Sequence, residues 1–165
     1  MNSIRYGRLE DLPEIVRIYN ESIPGRRSTA DLEPVSVDSK REWFSRHDDQ
    51  RRPVYVLEAA GEIAGWLSLE WFYQGRSAYN ATAEISVYIS SSHQQKGYGR
   101  LLLDHAINDC PRLGVKNLIS MHFDHNEGTK ALIRKFGFTD AGHLSEIADI
   151  GGQPRGLLLG LLKLP

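Results

Sequence analysis

Cysteine is almost absent from this sequence: Cys110 is the only one among 165 residues. A single cysteine excludes an internal disulfide and any zinc or iron–sulfur site that is built from several cysteines. The first residues, MNSIRYGRLED, also lack the apolar core of a secretion signal. Both features favour a reducing compartment, and we expect a cytoplasmic protein.

Long apolar runs and an excess of positive charge are missing too. No stretch approaches the roughly 18 consecutive apolar residues of a membrane span, so we expect no membrane partner. The 20 basic and 21 acidic residues give a formal net charge of -1, which leaves no overall positive field to hold nucleic acid. The segment RHDDQRR (46–52) mixes both signs and is interpreted as a solvated loop. A small molecule is the expected partner.

What the sequence does contain is typical of one folded domain. Hydrophobic residues make up 41% of the chain and charged residues 25%, as in an ordinary globular protein. No repeat, low-complexity tract or linker divides it. We therefore expect a single domain over residues 1–165.

The first third of the chain predicts two helices separated by a long loop. LEDLPEIVRIYNES (9–22) has the apolar spacing of a helix, with Asp11 and Glu14 as a capping pair. The segment 23–34, rich in Pro, Gly and Ser, is a candidate lid. Ser36 is expected to cap the second helix.

Three strands are predicted next. The runs 53–60 and 63–73 flank Gly61 and Glu62, which signals an antiparallel hairpin. TAEISVYIS (82–90) alternates apolar and polar residues, so one of its faces is polar. That face carries Glu84, Ser86 and Tyr88.

The remaining pattern completes an α+β fold. A helix is predicted from Gly97 to about Gly114, then a strand over 115–123, a short helix over 126–136, and two strands around the GGQP turn (151–154). We expect a mixed, mainly antiparallel sheet flanked by about four helices.

The segment HQQKGYG (93–99) joins the polar-faced strand to the third helix. A glycine-rich turn that enters a helix directs backbone N–H groups into one concavity, and the helix dipole favours anions there. The spacing fits neither the Walker loop nor the dinucleotide motif G-x-G-x-x-G. It predicts a phosphate site of another kind, with a simple turn as the alternative.

Two spaced motifs make this interpretation specific. Residues 94–99 match Q/R-x-x-G-x-G/A, and NEGTKALIRKFGF (126–138) matches N-x-x-(S/T)-x-x-L-x-x-K-x-G-F. Together they resemble the GNAT superfamily of acyl-CoA-dependent N-acyltransferases. IYNESIPG, GWLSLEWF and AYNATAEISVYIS further resemble its phosphinothricin N-acetyltransferase-like branch, whose members acetylate the α-amino group of amino-acid-like substrates.

The resemblance implies a GNAT fold with a splayed strand, acetyl-CoA as cosubstrate, no metal and a homodimer. The pyrophosphate would lie on backbone N–H groups of the turn, and the pantetheine would pair like an extra strand. Asn126 would bind the pantetheine arm, cap its own helix, or do both. The predicted cofactor-binding residues are Val87, Tyr88, Ile89, Gln94, Gln95, Lys96, Gly97, Tyr98, Gly99, Arg100 and Asn126.

Glu84 is the candidate catalytic base, directly or through water; alternatively it orients the substrate's ammonium group. A backbone N–H of the strand, such as that of Val87, is the expected oxyanion donor. Many relatives carry Tyr or His seven residues beyond the motif's asparagine, where this chain has Ile133, so we assign no general acid. Cys110 has no evident activating base, so we expect direct attack of the amine without a covalent enzyme intermediate.

Arg76 is the candidate for the substrate's carboxylate, because arginine holds carboxylates bidentately. The predicted substrate-binding residues are Phe72, Tyr73, Arg76, Tyr79 and Glu84. His122 and His125 are not expected to bind a metal, because residues i and i+3 of a strand face opposite ways.

The expected activity is acetyl transfer to the α-amino group of a small amino acid or analogue, of the phosphinothricin or methionine sulfoximine type. One alternative is acetylation of a protein N-terminus or lysine, which needs an open acceptor groove. Another is a non-catalytic module that binds CoA as a sensor, an option that Ile133 keeps open.

Overall fold

The fold is described from a computed structural model over residues 2–165. Its strands and α-helices follow the predicted order, with short 3-10 turns between some of them. In chain order they are β1 (Ser3–Tyr6), α1 (Leu12–Ser22), α2 (Val37–Ser45), β2 (Val54–Ala59), β3 (Glu62–Trp71), β4 (Thr82–Ile89), α3 (Tyr98–Leu113), β5 (Asn117–Phe123), α4 (Glu127–Lys135), β6 (Thr139–Asp149) and β7 (Pro154–Lys163).

The strands form one seven-stranded sheet in the order β1-β2-β3-β4-β5-β7-β6. Every neighbouring pair is antiparallel except β4 and β5, which are parallel. The predicted α+β class and the mixed, mainly antiparallel sheet are therefore confirmed. Within residues 2–165, no helix is long and apolar enough to cross a membrane.

Each face of the sheet buries its own apolar core, because successive strand residues point to opposite sides. Helices α1 and α2 cover the face that carries Val56 and Trp66, and α3 and α4 cover the face that carries Leu57 and Leu67. The indole N–H of Trp66 donates to the Ile15 carbonyl at 3.0 Å, which fixes α1 over the sheet. The central strands are buried on both faces as a result.

Of the two predicted helix caps, the one at Ser36 is present and the one at Asp11 is not. Ser36 Oγ accepts the backbone N–H of Ser39 at 3.1 Å, as expected for the cap of α2. Asp11 does not cap α1: its carboxylate accepts the Arg8 N–H at 2.7 Å and pairs with Arg5 at 2.7 Å. The backbone of Asp11 is already helical, at φ -80° and ψ -14°, so its side chain turns back toward β1.

The ends of the β2–β3 hairpin differ from the predicted ones by one or two residues. The turn residues are Ala60 and Gly61, with φ of 54° and 84°, and Glu62 already belongs to β3. Strand β3 ends at Trp71 instead of residue 73 because the next segment turns sharply. Tyr73 and Gln74 there have φ of 48° and 62°.

Strands β4 and β5 diverge part-way along their length. Their parallel pairing covers Thr82–Ile85 against Asn117–Ser120 and then stops. Beyond it, β4 continues to Ile89 beside β3 alone, and β5 continues to Phe123 beside β7 alone. The second half of β4 therefore has one edge without a strand partner, as the predicted splayed strand requires.

Gly65 of β3 lies opposite Ile89 of β4, with little space between the two strands for a side chain. A Cβ added at Gly65 would lie 2.8 Å from the Tyr88 carbonyl oxygen and 2.5 Å from Ile89 Cδ1. Because the carbonyl belongs to a paired strand and cannot move alone, we expect Gly65→Ala to lower the free energy of unfolding by about 1–3 kcal/mol. Urea denaturation would measure the loss.

Gly142→Ala is the matched control, because a Cβ at Gly142 meets only Leu159 Cδ1, at an ordinary 3.6 Å. We expect that variant to unfold within about 0.5 kcal/mol of the parent. Equal losses in the two variants would show that close packing at Gly65 is not the cause.

Candidate active site

The divergence of β4 and β5 opens a gap between the strands that leads into a surface groove. Ile85, Val87, Ser120 and Ile133 are among the residues that line the gap. The groove, of about 480 Å³, runs from there along Val87–Ile89 to Gln94, Gln95 and Gly99. It joins the two predicted cofactor-binding segments in one continuous depression.

The turn before α3 has the backbone geometry of an anion site. Gln95 and Gly97 have φ of 61° and 80°, and α3 begins at once with Tyr98. The first N–H groups of a helix have no partner inside it, so those at the start of α3 are free for a ligand. A Cβ at Gly99 would come within 3.6 Å of Leu132 and 3.9 Å of Ile89, so a larger side chain there would narrow the groove.

Asn126 holds two parts of the structure together. Its Oδ1 accepts the Thr129 N–H at 3.1 Å, which caps α4, and its Nδ2 donates to the Arg27 carbonyl at 3.0 Å. The capping alternative is thereby confirmed. The carbonyl that accepts from Nδ2 belongs to the loop of residues 23–36, of which 23–34 are the candidate lid.

This loop lies over the groove and is attached on both sides of it. The imidazole Nε2 of His125 lies 2.8 Å from the Arg26 carbonyl oxygen. From β4, the Tyr88 hydroxyl donates to the Ser28 carbonyl at 3.3 Å. The loop therefore borders the groove on one side and the polar face of β4 on the other.

On the α1 and α2 side of the sheet, β3 and β4 form the floor of a second cavity, the chamber. Its volume is about 180 Å³. Ser86 and Tyr88 belong to the walls of both the chamber and the gap, so the two spaces adjoin across β4. The chamber is lined by Ile15, Val16, Tyr19, Lys40, Trp43, Trp66, Ser68, Glu70, Ser86 and Tyr88.

Glu70 is the carboxylate in the chamber wall. One of its oxygens, Oε1, accepts Trp43 Nε1–H at 2.7 Å and the Ser68 hydroxyl at 3.2 Å. His47 Nε2 lies 3.2 Å from the same oxygen, close enough for an ion pair when the ring is protonated, although its alignment is poor for a hydrogen bond. Burial favours the neutral acid, but His47, Trp43 and Ser68 outweigh it and lower the pKa of Glu70. Glu70 is therefore ionised at neutral pH.

Glu84 lies directly across the strand pair from Glu70, and its pKa is shifted in the opposite direction. The two residues are Cα partners in the β3–β4 register. Burial raises the pKa of Glu84 from 4.5 to about 7, and the negative charge of Glu70 contributes to the same shift. A carboxyl with this pKa exchanges protons near neutral pH, as a general base must.

Arg52 holds the segment that leads into β4. Its guanidinium donates to the carbonyls of Asn80 and Thr82 at 2.8 and 3.1 Å and lies 3.9 Å from the centre of the Trp71 ring system. The prediction that residues 46–52 form a solvated loop is wrong at this position, because Arg52 is fully buried. Cation–π stacking and three carbonyl acceptors, the third being that of Arg51 at 2.7 Å, replace water there, although burial still lowers the pKa of Arg52.

The predicted substrate residues after β3 lie together, but outside the chamber wall. Phe72, Tyr73 and Tyr79 form an aromatic cluster with ring centroids 5.5 to 6.4 Å apart. Arg76 is exposed and lies 5.6 Å from the Tyr73 ring centroid. Of that predicted set, only Glu84 lies on the face of β4 that forms the chamber floor, two residues before Ser86, and it does not itself line the chamber.

Two features of the gap bear on departure of the leaving group. Ile133 is buried in its wall and supplies no proton. The gap is also lined by a buried pair that was not predicted from the sequence, Ser120 and His122, whose Oγ and Nδ1 are 3.1 Å apart. Burial lowers the pKa of His122, so its ring is neutral at neutral pH.

Cys110 is fully buried, and burial raises the pKa of its thiol to about 12. It is therefore not a nucleophile.

Lys40, Trp43 and Glu70 were also missed by the sequence analysis. Glu70 had a recognisable signal: it is the lone carboxylate within the apolar run GWLSLEWF, at the alternate position from Ser68. Lys40 and Trp43 are three residues apart on α2 and so share a face. Nothing local to α2 shows that this face meets β3 and β4, which are far away in sequence.

Comparison with known proteins decides the family. Residues 12–138 match the Acetyltransferase (GNAT) family. The chain belongs to the GNAT acetyltransferase family. Among curated relatives, it is 42% identical over 92% of both chains to YwnH of Bacillus subtilis, which carries the provisional name of phosphinothricin acetyltransferase. It is 28% identical, over 92% of this chain and 88% of the relative, to a methionine sulfoximine/methionine sulfone acetyltransferase of Pseudomonas paraeruginosa.

A solved structure supports the same assignment. The phosphinothricin acetyltransferase of Sinorhizobium meliloti, in complex with acetyl-CoA, aligns with a TM-score of 0.92 and 26% identity over 99% of this chain and 88% of its own. The GNAT fold expected from the motifs is thereby confirmed, and the protein is an acetyltransferase of this family. Between residues 2 and 165, no group of three His, Cys, Asp or Glu side chains could hold a metal ion.

The two bonds of Asn126 can be separated by substitution. Asn126→Ala removes the α4 cap and should lower protein stability by about 1 kcal/mol. Asn126→Asp keeps the capping oxygen but replaces the donor to Arg27 with a carboxylate, so we expect near-parent stability with a released loop. Thermal unfolding measures the first effect, and the rate of trypsin cleavage after Arg26 and Arg27, followed by mass spectrometry, measures the second.

Glu127→Gln is the control, because it changes a neighbouring charge without touching either bond. It should leave the loop cleavage rate at the parent value. If trypsin cut the loop of Asn126→Asp no faster than that of the parent, the bond from Asn126 to Arg27 would not be what holds the loop.

Proposed function

We propose that the protein transfers acetyl from acetyl-CoA to the α-amino group of a small amino acid or analogue, of the phosphinothricin or methionine sulfoximine type. The observation that carries the proposal is the chamber: a small cavity with one ionised carboxylate in its wall, adjoining the open edge of β4. The names of the relatives from Bacillus, Pseudomonas and Sinorhizobium point to the same class of substrate.

In this proposal acetyl-CoA lies in the groove. Its pyrophosphate accepts hydrogen bonds from backbone N–H groups of residues 95–100, and its pantetheine amides pair with the free edge at 87–89, because an unpaired strand edge needs such partners. Arg27 also borders the groove and brings a positive charge to it. The acetyl end then reaches the gap, next to the chamber.

The proposed reaction is direct aminolysis of the thioester. The substrate enters the chamber as an ammonium ion beside the ionised Glu70, and Glu84 accepts a proton from it, directly or through one water. The neutral nitrogen attacks the thioester carbonyl carbon and a C–N bond forms. The nitrogen, positively charged after the attack, releases its second proton to water as the C–S bond breaks. The Val87 N–H stabilises the oxyanion in this proposal, and sulfur departs as the CoA thiolate, a tolerable leaving group since a free cysteine thiol has a pKa of about 8.5.

The alternatives from the sequence have less support. A protein N-terminus or lysine needs an open groove for flanking residues, whereas the cavity beside β4 measures about 180 Å³, at the scale of one small molecule. A CoA sensor has no use for a half-buried carboxyl whose pKa is raised to about 7. Perturbed carboxyls of this kind are common at catalytic sites.

The direct test is an amine panel scored by thiol release from acetyl-CoA. It should include phosphinothricin, methionine sulfoximine, methionine sulfone, the common amino acids, and a peptide with a free N-terminus. We expect turnover with one or more of the free amino acids, and a drop in kcat of about 100-fold or more in Glu84→Gln. Turnover of the peptide alone would refute the proposed substrate class.

The pH dependence tests the roles of the two glutamates. Because Glu84 must be ionised to accept a proton, kcat/KM should fall as the pH drops below about 7. Glu70→Gln removes a neighbouring negative charge, which makes ionisation of Glu84 easier and lowers its pKa. The acidic limb of the profile should therefore move to lower pH in that variant, and it should vanish in Glu84→Gln.

Glu10→Gln is a suitable control, since Glu10 is exposed in the turn before α1 and the variant loses the same charge far from the chamber. Its profile should superimpose on that of the parent. An acidic limb that stayed in place in Glu70→Gln would mean that the charge of Glu70 does not set the pKa of the base.

A further inference from the structure

The chamber contains a cation as well as a carboxylate. Lys40 is half-buried on α2 and lines the chamber, and its Nζ lies 4.9 Å from the centre of the Tyr19 ring. Among residues 2–165 no carboxylate lies within 4.0 Å of this ammonium group. A half-buried cation in an aromatic wall lacks the water that it would have outside.

The neighbouring cations on the same two helices are neutralised. Arg41 pairs with Asp38 at 2.9 Å on α2, and on α1 Arg17 pairs with Glu14 at 2.8 Å and also with Glu21. Lys40 is thus the exception among them. It lines the same cavity as the ionised Glu70.

We propose that Lys40 binds the α-carboxylate of the acceptor and so makes the enzyme select zwitterionic amino acids over simple amines. The inference rests on the proposed function and names the residue that would set its specificity. An α-amino acid carries its ammonium nitrogen and carboxylate carbon about 2.5 Å apart. One chamber must therefore supply both partners, with Glu70 near the nitrogen and Lys40 near the carboxylate.

Other cations near the site lie outside this chamber. Arg76 is on the exposed loop after β3. Arg46 and Arg51 line a separate basin of about 630 Å³ beside Trp71 and Asn80, at the far end of β3. That basin shares Glu70 with the chamber but does not include Ser86 or Tyr88, the residues that adjoin the gap. A carboxylate held there would keep the α-nitrogen away from the thioester.

The test compares each accepted amino acid with the primary amine that lacks its α-carboxylate. In Lys40→Met we expect KM for the amino acid to rise about 10- to 100-fold, the value of one charge-assisted hydrogen bond. KM for the matched amine should stay at the parent value, because the amine has no group for Lys40 to bind. Lys40→Arg keeps the charge and should recover most of the affinity for the amino acid.

Two measurements keep the outcomes distinct. Calorimetric binding of acetyl-CoA to Lys40→Met shows that the variant is folded. Lys163→Met, a change at an exposed lysine at the end of β7, should leave both KM values unchanged.

Failure of the parent enzyme to use any amino acid would refute the proposed function, and the role of Lys40 with it. If the parent does use amino acids, an unchanged KM in Lys40→Met, or an equal rise for amino acid and amine, would overturn the role of Lys40 alone. A rise confined to Arg76→Ala or Arg51→Met would place the carboxylate elsewhere.

Discussion

The parallel pairing of β4 with β5 ends after Ile85 and Ser120, and the rest of the site depends on that ending. Unpaired N–H and C=O groups at a strand edge are costly to bury. The edges exposed where this sheet opens therefore need other hydrogen-bond partners. Here the opening adjoins a groove on one side of the sheet and the chamber on the other. Two molecules can thus approach the same strand from opposite faces and meet at its edge.

Two carboxyl groups of the same chemical type acquire different protonation behaviour in this setting. Glu70 accepts hydrogen bonds from Trp43 and Ser68, lies within ion-pair distance of His47, and remains charged. Glu84, its partner across the strands, is half-buried without such donors and also faces the charge of Glu70. The stabilisation of one carboxylate therefore raises the pKa of the other, and a hydrogen-bonding network on α2 and β3 influences a proton on β4.

Sequence reasoning predicted most of the fold because the signals are local. The turn at Gly97, the cap at Ser36 and the polar face of β4 depend on residues within a few positions of one another, and the structure has all three. The predictions failed where a residue outside the local pattern supplied the contact. Asp11 pairs with Arg5 on β1 instead of capping α1, and Arg52 packs against the Trp71 ring in the interior instead of facing solvent. The chamber could not be predicted as a unit, because α1, α2, β3 and β4 each supply a part of its wall and none carries a motif for it.

The attachment of residues 23–36 across the groove is made largely through main-chain oxygens, those of Arg26, Arg27 and Ser28. Every amino acid has such an oxygen, so point changes at these three positions would leave the acceptors in place. A change in the number of residues would displace all three acceptors at once. Across related proteins residues 26–28 should therefore vary in composition, while insertions and deletions within the loop are rare.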